Sequence, residues 1–206
     1  MSKIIPMSKK YLFLFPKEYN VDRMKLRITD EGIYSISKLG DPLRIMKLIK
    51  KHYEGNILKS TITDGTANIG GDTINFAKYF KRVNAVELNR LHCSVLDNNI
   101  RVYNRNNVNI ICKSYLKVMK ELKQDIVYLD PPWGGPEYYK QKSIKLYLGK
   151  YEIADIVRKL KGHAKLFVIK APTNYDYKSF FKKVGRGVRK GYILRKKVLI
   201  LLFKYI

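Results

Sequence analysis

A short polar turn after an apolar run carries the residues of this chain that are best suited to chemistry. The turn reads Asp130-Pro131-Pro132-Trp133, and it follows the apolar segment 125–129, which predicts a buried parallel strand. Proline cannot continue a strand, so the chain must turn at the strand's carboxyl end, where open α/β sheets bind their ligands. A carboxylate, a rigid diproline and the chain's only tryptophan therefore lie at a predicted ligand-binding edge.

These groups fit the methylation of an exocyclic amine on a nucleobase. Such an amine is a poor nucleophile because its lone pair is delocalised into the ring, and hydrogen-bond acceptors on its N–H groups oppose that delocalisation. The Asp130 carboxylate and the Pro131 carbonyl are both acceptors, and the fixed φ of proline holds the carbonyl in place. Trp133 offers a ring face for stacking a flat base, worth about 1–3 kcal/mol, and more for a cationic base. The alternative, an ordinary turn with a buried tryptophan, is disfavoured by the strand before it and the nucleotide-binding pattern upstream.

A small-residue loop and an acid at the next strand end predict a nucleoside cofactor. The loop Asp64-Gly65-Thr66-Ala67-Asn68 follows a predicted strand over 59–63 and leads into a predicted helix over 73–80. Its glycines let the backbone approach a ligand closely, although such a loop alone is a weak signal. Glu87 ends a predicted strand over 83–86, where a carboxylate either accepts hydrogen bonds from both ribose hydroxyls or pairs with a basic residue. The loop and the acid together, without a pyrophosphate-binding fingerprint, fit S-adenosylmethionine, which has a ribose and no phosphates.

Three later residues are further candidates at the same edge. Ser114 follows the predicted strand 108–112, near the expected position of the adenine, although a simple loop serine explains it equally well. Lys170 ends another predicted strand and Asn174 follows it, so both are candidates for contact with the base or a phosphate.

Size and charge bound the class of protein. At 206 residues one main domain is expected over 35–206, with an N-terminal extension over 1–34 that contributes to the substrate site. The segment 32–37 predicts a short strand or turn, and Asp41-Pro42 predicts a helix start with Asp41 as the N-cap. Basic and aromatic residues over 9–15 suit either a lid on a flat anionic ligand or an arm packed on the core. The net charge of +25 attracts polyanions such as RNA or DNA, although many of the lysines serve only to solvate the surface.

The chain shows no membrane, disulfide or metal signal. It has no apolar run long enough to span a bilayer and no signal peptide. Cys93 and Cys112 form no disulfide framework, and with the three histidines they show no zinc spacing. We therefore expect no metal, no membrane contact, and a reducing intracellular compartment, either nucleus or cytoplasm.

The turn and its surroundings resemble the trimethylguanosine synthase family, the RNA cap guanine-N2 methyltransferases. The most specific match is 131–138, Pro-Pro-Trp-Gly-Gly-Pro-Glu-Tyr, supported by 32–37, 70–77 and 172–176. The resemblance implies a Rossmann-like α/β fold, with a mostly parallel seven-stranded sheet, helices on both faces and an antiparallel C-terminal strand. It also implies transfer of methyl from S-adenosylmethionine, with S-adenosylhomocysteine as product, to N2 of the 7-methylguanosine cap of RNA. That base is cationic, which agrees with the cation–π argument for Trp133.

The residues and the resemblance together predict three groups of site residues. Asp130, Pro131 and Trp133 are predicted to be catalytic. Cofactor contacts are predicted for Ser37, Asp64, Gly65, Thr66, Asn68, Glu87, Ser114, Asp130 and Pro132. Substrate contacts are predicted for Lys9, Lys10, Trp133, Glu137, Tyr138, Lys170 and Asn174; the resemblance assigns Lys9 and Lys10 to the cap phosphates.

Some residues depart from the family pattern and leave alternatives open. The family typically has Ser where Asp130 stands, and Asp-Pro-Pro-Trp is also the signature of adenine-N6 methyltransferases acting on RNA or DNA. The family has an acid where Ser114 stands and a basic residue where Thr173 stands, for which Lys170 is a possible substitute. A non-catalytic module that binds a cap or RNA is a third alternative. The product, 2,7-dimethyl- or 2,2,7-trimethylguanosine, stays open; a monomer is expected, and the length and AT-like composition suit a viral protein in the host cytoplasm.

Overall fold

Strands and helices alternate along most of the chain. In the computed structural model, which describes residues 2–206, the strands are β1 (Ile4–Ile5), β2 (Ile28–Thr29), β3 (Thr61–Asp64), β4 (Arg82–Val86), β5 (Val108–Ile111), β6 (Ile126–Leu129), β7 (Tyr147–Leu148), β8 (Tyr151–Glu152), β9 (Leu166–Pro172), β10 (Gly187–Arg195) and β11 (Val198–Tyr205). The α-helices are α1 (Asp30–Ser35), α2 (Asp41–His52), α3 (Gly71–Phe76), α4 (Arg90–Val102), α5 (Tyr115–Val118), α6 (Ile153–Lys159) and α7 (Tyr177–Val184).

A seven-stranded sheet forms the centre, in the order β10-β11-β9-β6-β3-β4-β5. The five strands from β9 to β5 are parallel, whereas β11 runs antiparallel to both of its neighbours. The chain leaves β3 towards β4 and β5 and then returns to β6 on the other side of β3. This reversal places a topological switch point between β3 and β6, where open α/β sheets bind ligands. The predicted Rossmann-like fold, including its antiparallel C-terminal strand, is confirmed.

Helices cover both faces of the sheet because its central strands are apolar on both faces. In β6, Ile126 and Tyr128 pack with the cluster that includes α2 and α3, whereas Val127 and Leu129 pack with α5, α6 and α7. Successive side chains of a strand point to opposite faces, so a strand between two helical layers must be apolar throughout. β6 thereby becomes a fully buried platform for the turn that follows it.

The N-terminal segment packs on the core rather than standing away from it. Leu14, Phe15, Leu26 and Ile28 are buried in the cluster that contains the inner face of α4. Of the two predicted roles for 9–15, the packed arm fits Leu14 and Phe15, whereas Lys9, Lys10 and Phe13 are exposed. Met1, the first residue of the predicted extension, lies outside the described residues.

Several local predictions differ from the structure. The segment 32–37, predicted as a short strand or turn, lies largely in α1, because the Thr29 hydroxyl caps that helix by accepting the Gly32 N–H. The predicted helix over 73–80 begins earlier, at Gly71, because Gly70 adopts a φ of 99° that only glycine takes easily. Asp41, predicted as an N-cap, is instead the first residue of α2, after Gly40.

The expectation that the two cysteines stay unpaired was wrong. Cys93, in the first turn of α4, and Cys112, directly after β5, form a disulfide, with their Cα atoms 5.9 Å apart. The two cysteines are 19 positions apart in the chain, and they meet because α4 connects two adjacent parallel strands, β4 and β5. Separately, no helix among residues 2–206 is long and apolar enough to cross a membrane.

Candidate active site

One large cavity lies at the carboxyl ends of the parallel strands, beside the switch point between β3 and β6. Its volume is about 1020 Å³, at the upper end of the range for small-molecule sites. Such a volume has room for a nucleoside cofactor and a nucleotide acceptor together. Twelve of the predicted site residues line it: Ser37, Gly65, Thr66, Asn68, Glu87, Ser114, Asp130, Pro131, Pro132, Trp133, Tyr138 and Lys170.

Three predicted residues lie elsewhere on the protein. Asp64 is only 1% exposed beneath the small-residue loop, where it accepts the Thr73 hydroxyl at 2.7 Å. Its carboxylate therefore shapes the loop rather than facing the cavity. Lys9 and Lys10 are exposed on a short 3-10 helix and are not among the lining residues. Their contact with cap phosphates stays a prediction.

Two more predicted residues belong to the loop after the turn. Glu137 is exposed and pairs with Lys140. Asn174 donates its side-chain amide to the Tyr138 carbonyl at 2.9 Å and to the Gln141 carbonyl at 2.8 Å. Asn174 thus ties the end of β9 to the loop that carries Tyr138, which is a positioning role.

Glu87 presents its carboxylate to the cavity at the end of β4. Its Oε2 accepts the Asn68 N–H at 2.8 Å and its Oε1 accepts the Asn89 N–H at 2.7 Å. These partners are backbone amides rather than a basic side chain, and each carboxylate oxygen still has a lone pair for a ligand. The arrangement fits the two hydroxyls of a ribose, so the residues present fit the nucleoside part of S-adenosylmethionine.

Replacing Glu87 with Ala should weaken the binding of S-adenosylhomocysteine by about 10- to 100-fold, because hydrogen bonds to a charged group contribute about 1.5–3 kcal/mol. Isothermal titration calorimetry measures this change. Glu54→Ala is the matched control, because Glu54 pairs with Lys204 and does not line the cavity. Unchanged affinity in a folded Glu87→Ala protein would contradict the ribose role.

A buried hydrogen-bonded cluster lies at the inner end of the cavity. The Lys170 ammonium donates to Asp130 Oδ2 at 2.6 Å and to Ser37 Oγ at 2.7 Å. Ser37 donates in turn to Asp72 Oδ2 at 2.5 Å, and the Tyr128 hydroxyl donates to the same oxygen at 3.0 Å. The cluster therefore joins the turn after β6 to the first turn of α3.

Burial and mutual contact shift the pKa values of this cluster. Burial alone would lower the pKa of Lys170, but the carboxylates of Asp130 and Asp72 outweigh it and raise that pKa above its usual value. Burial raises the pKa of the Asp130 carboxyl, and the Lys170 cation opposes that rise. Burial and the neighbouring Asp72 raise the pKa of Asp64 to about 8. Lys170 is therefore a cation at neutral pH, whereas Asp64 is largely protonated.

The raised pKa of Asp64 should make the protein less stable as pH rises. Between the ordinary value of 3.8 and the folded value of about 8, the folded protein holds a proton that the unfolded chain releases. The melting temperature should therefore fall from about pH 5 to about pH 8, and Asp64→Asn should reduce that slope. Differential scanning fluorimetry across this range measures both slopes. Asp97→Asn, on the exposed face of α4, is the control and should keep the wild-type slope.

Trp133 lines the cavity directly before two glycines. Gly134 and Gly135, with φ of 91° and 83°, allow the chain to reverse directly after it. The indole packs edge-on against Tyr138, with ring centroids 5.2 Å apart, and is only partly buried. Its Nε1 is buried with no hydrogen-bond partner among residues 2–206. Tyr138 therefore holds the indole at the cavity, where a flat ligand can stack on it.

Other lining residues were not predicted. Asp72 stands in the first turn of α3, where a carboxylate is favourable, but its contact with Ser37 has no sequence signal. Glu31 and Tyr34 come from the extension, so α1 does reach the cavity, and the Tyr34 side chain is 87% exposed there. Arg195 lines the cavity from the end of β10, and its Nε donates to Asp41.

Comparisons with known proteins show which family and which fold this chain resembles. A family model described as "RNA cap guanine-N2 methyltransferase" matches residues 59–199. "Uncharacterized protein L320" of Acanthamoeba polyphaga mimivirus is 33% identical over 216 residues, which cover 93% of this chain and 84% of the viral protein. "Trimethylguanosine synthase" of Schizosaccharomyces pombe is 30% identical over 123 residues, 53% of this chain and 49% of that protein. In fold alone, a "SAM Dependent Methyltransferase" from Agrobacterium tumefaciens matches with a TM-score of 0.63 and 11% identity, over 88% of this chain and 68% of that one.

Proposed function

This chain belongs to the RNA cap guanine-N2 methyltransferase family, and from that premise we propose that it methylates the N2 amine of 7-methylguanosine caps on RNA. The family and the fold make it a methyltransferase, and they imply the use of S-adenosylmethionine. The observation that carries the proposal is that Asp130, Pro131 and Trp133 line the same cavity as Glu87. This supports the proposal, because the residues proposed to accept the amine, stack the base and bind the ribose share one cavity.

The cofactor supplies an electrophilic methyl group when it is bound. On the protein's side, Glu87 and the loop around Gly65 and Asn68 would hold its nucleoside part. Most of the rate enhancement would come from holding the acceptor amine in line with that methyl group, the proximity effect of an ordered two-substrate site.

The acceptor side depends on two hydrogen-bond acceptors and one ring. The Asp130 carboxylate and the Pro131 carbonyl would accept the two N–H groups of the amine and so oppose delocalisation of its lone pair into the ring. Trp133 stacks on the base, and the positive charge of 7-methylguanine strengthens this contact. The proposed specificity for a 7-methylated base rests on this cation–π interaction.

One observation favours a second candidate, an adenine-N6 methyltransferase. A carboxylate, rather than a hydroxyl, precedes the diproline and faces the cavity, and a carboxylate accepts the N–H groups of adenine N6 as well as those of guanine N2. An uncharged adenine would gain less from Trp133 than a cationic base does. We therefore favour the cap.

Methyl transfer from labelled S-adenosylmethionine tests the proposal, with 7-methylguanosine diphosphate, GDP, ATP and an uncapped adenine oligonucleotide as acceptors. Label on the 7-methylated nucleotide alone supports it, and chromatography of the product counts the methyl groups. Transfer to the adenine oligonucleotide alone supports the second candidate. Tight cap binding with neither transfer nor affinity for S-adenosylhomocysteine would indicate a non-catalytic binding module.

A further inference from the structure

Lys170 differs from every other lysine in the part of the chain that the structure describes, because it alone is buried. Its side chain is 5% exposed, while that of its partner Asp130 is 16% exposed. Lysine is almost never fully buried unless it is paired, since the charge loses its hydration. A surface role or a contact with the RNA backbone therefore does not explain why Lys170 is buried. The explanation must lie in its two hydrogen-bond contacts.

The contact with Lys170 makes the two oxygens of the Asp130 carboxylate different. Oδ2 accepts the lysine at 2.6 Å, so Oδ1 is the carboxylate oxygen that the lysine leaves without a hydrogen bond. The lysine is itself held by Ser37 Oγ at 2.7 Å, and Ser37 is anchored on Asp72. The orientation of Asp130 is thus set through residues from three separate elements of the fold.

The charge of Lys170 also affects the protonation of Asp130. An ionised carboxylate that is buried without a partner tends to take up a proton, because burial disfavours the charged form. A protonated Asp130 would present a hydroxyl donor where an acceptor is needed. The charged and titratable groups that surround this pair are Asp41, Asp64, Asp72, Tyr128 and Arg195.

We propose that Lys170 is a positioning residue that keeps Asp130 ionised and turned so that its Oδ1 accepts an N–H of the target amine. In this role Asp130 accepts a hydrogen bond and takes no proton, and the proton that the methylated amine must lose is released to water. Ser37, predicted to contact the cofactor, serves here as the bridge that fixes the lysine. The inference rests on the proposed function, because it concerns the amine acceptor of that same cavity.

The test is the pH profile of kcat for Lys170→Met and for Lys170→Gln. Without the cation the pKa of Asp130 rises, so the acidic limb of kcat should move up by about one pH unit and kcat at pH values on that limb should fall about tenfold. Activity should recover towards the wild-type value at high pH. The KM for S-adenosylmethionine should change little, because the lysine acts on the acceptor side.

A double-mutant cycle separates this role from a merely structural one. In an Asp130→Asn background, Lys170→Met should cause no further loss of kcat, since its target carboxylate is gone. This double variant also removes the unpaired buried charge, so it provides a test if Lys170→Met alone does not fold. Lys183→Met is the matched control, because Lys183 also donates to two side-chain oxygens, those of Glu152 and Asp155, but lies outside this cavity. It should keep the wild-type profile.

An unmoved acidic limb, or additive losses in the cycle, would overturn the proposal for Lys170. If the wild-type protein transfers methyl to no acceptor, the proposed function fails, and the pH dependence of 7-methylguanosine diphosphate binding becomes the readout. The chain's only tryptophan is Trp133, so quenching of its fluorescence reports stacking without turnover. Lys170→Met must then shift the acidic limb of the binding profile. If the wild-type protein shows no methyl transfer and no fluorescence quenching, both proposals are overturned.

Discussion

Asp130→Asn should lower kcat by about 100-fold or more, the scale seen when one preorganised polar group is removed from an active site. The replacement keeps the size of the side chain but reverses its chemistry. The asparagine carbonyl would take the Lys170 ammonium in place of Oδ2, and the amide NH₂ would then face the amine. A donor would meet a donor where the reaction needs an acceptor.

The measurement is single-turnover methyl transfer to 7-methylguanosine diphosphate, together with calorimetric binding of S-adenosylhomocysteine. Affinity for the latter should fall far less than kcat, because Glu87 and its loop, which would hold the nucleoside part, are unchanged. Asp155→Asn is the control, since Asp155 also accepts a lysine, Lys183, at 2.7 Å but does not line this cavity. A near-normal rate in Asp130→Asn would show that the Pro131 carbonyl alone suffices to orient the amine.

The location of the site was predictable from short-range patterns. The apolar run before Asp130 and the small-residue loop after the strand ending at Asp64 each mark a strand end. Parallel strands bring their carboxyl ends to one edge, so Glu87 and Asp130 had to lie near each other once the sheet was inferred. Type and order of elements were enough for this, and exact element boundaries were not needed.

The hydrogen bonds and ion pair within the site were not predictable in the same way. Lys170 meets Ser37 across 133 positions and Asp130 across 40, and no spacing rule links residues so far apart. Lys170 was identified as a candidate because it ends a strand, but the sequence suggested a base or phosphate contact rather than a buried ion pair. Asp72 carried even less signal, because an acid in a helix's first turn is common for reasons unrelated to function.

The disulfide and the N-terminal segment show the same limit. The pairing of Cys93 with Cys112 depends on how α4 lies against β5, which is a packing outcome rather than a local pattern. Phe15 suited an arm or a lid equally, and its complete burial depends on a matching apolar face on α4. Local sequence predicts which residues prefer burial, whereas the residues they pack against depend on the fold of the whole chain.

Trp133→Ala should raise the KM for 7-methylguanosine diphosphate by about 10- to 100-fold, because base–aromatic stacking is worth about 1–3 kcal/mol. The loss should be smaller with GDP as the ligand, since an uncharged guanine gains less from the ring than the cationic 7-methylated base does. The KM of Trp133→Phe should lie between those of the wild type and Trp133→Ala, because phenylalanine keeps a smaller ring face. Binding titrations with both nucleotides and steady-state kinetics measure these differences.

The same indole also packs against two apolar clusters of the core, so the experiment must separate stacking from packing. Affinity for S-adenosylhomocysteine is the deciding readout, since the ribose site at Glu87 lies on another strand. Tyr177→Ala is the control for loss of a large aromatic side chain, because Tyr177 is partly exposed on α7 and does not line the cavity. If cofactor affinity and melting temperature collapse together in Trp133→Ala but not in Tyr177→Ala, Trp133 is a packing residue. If only nucleotide affinity falls, and falls most for the 7-methylated base, Trp133 recognises the positive charge of the cap base by a cation–π contact.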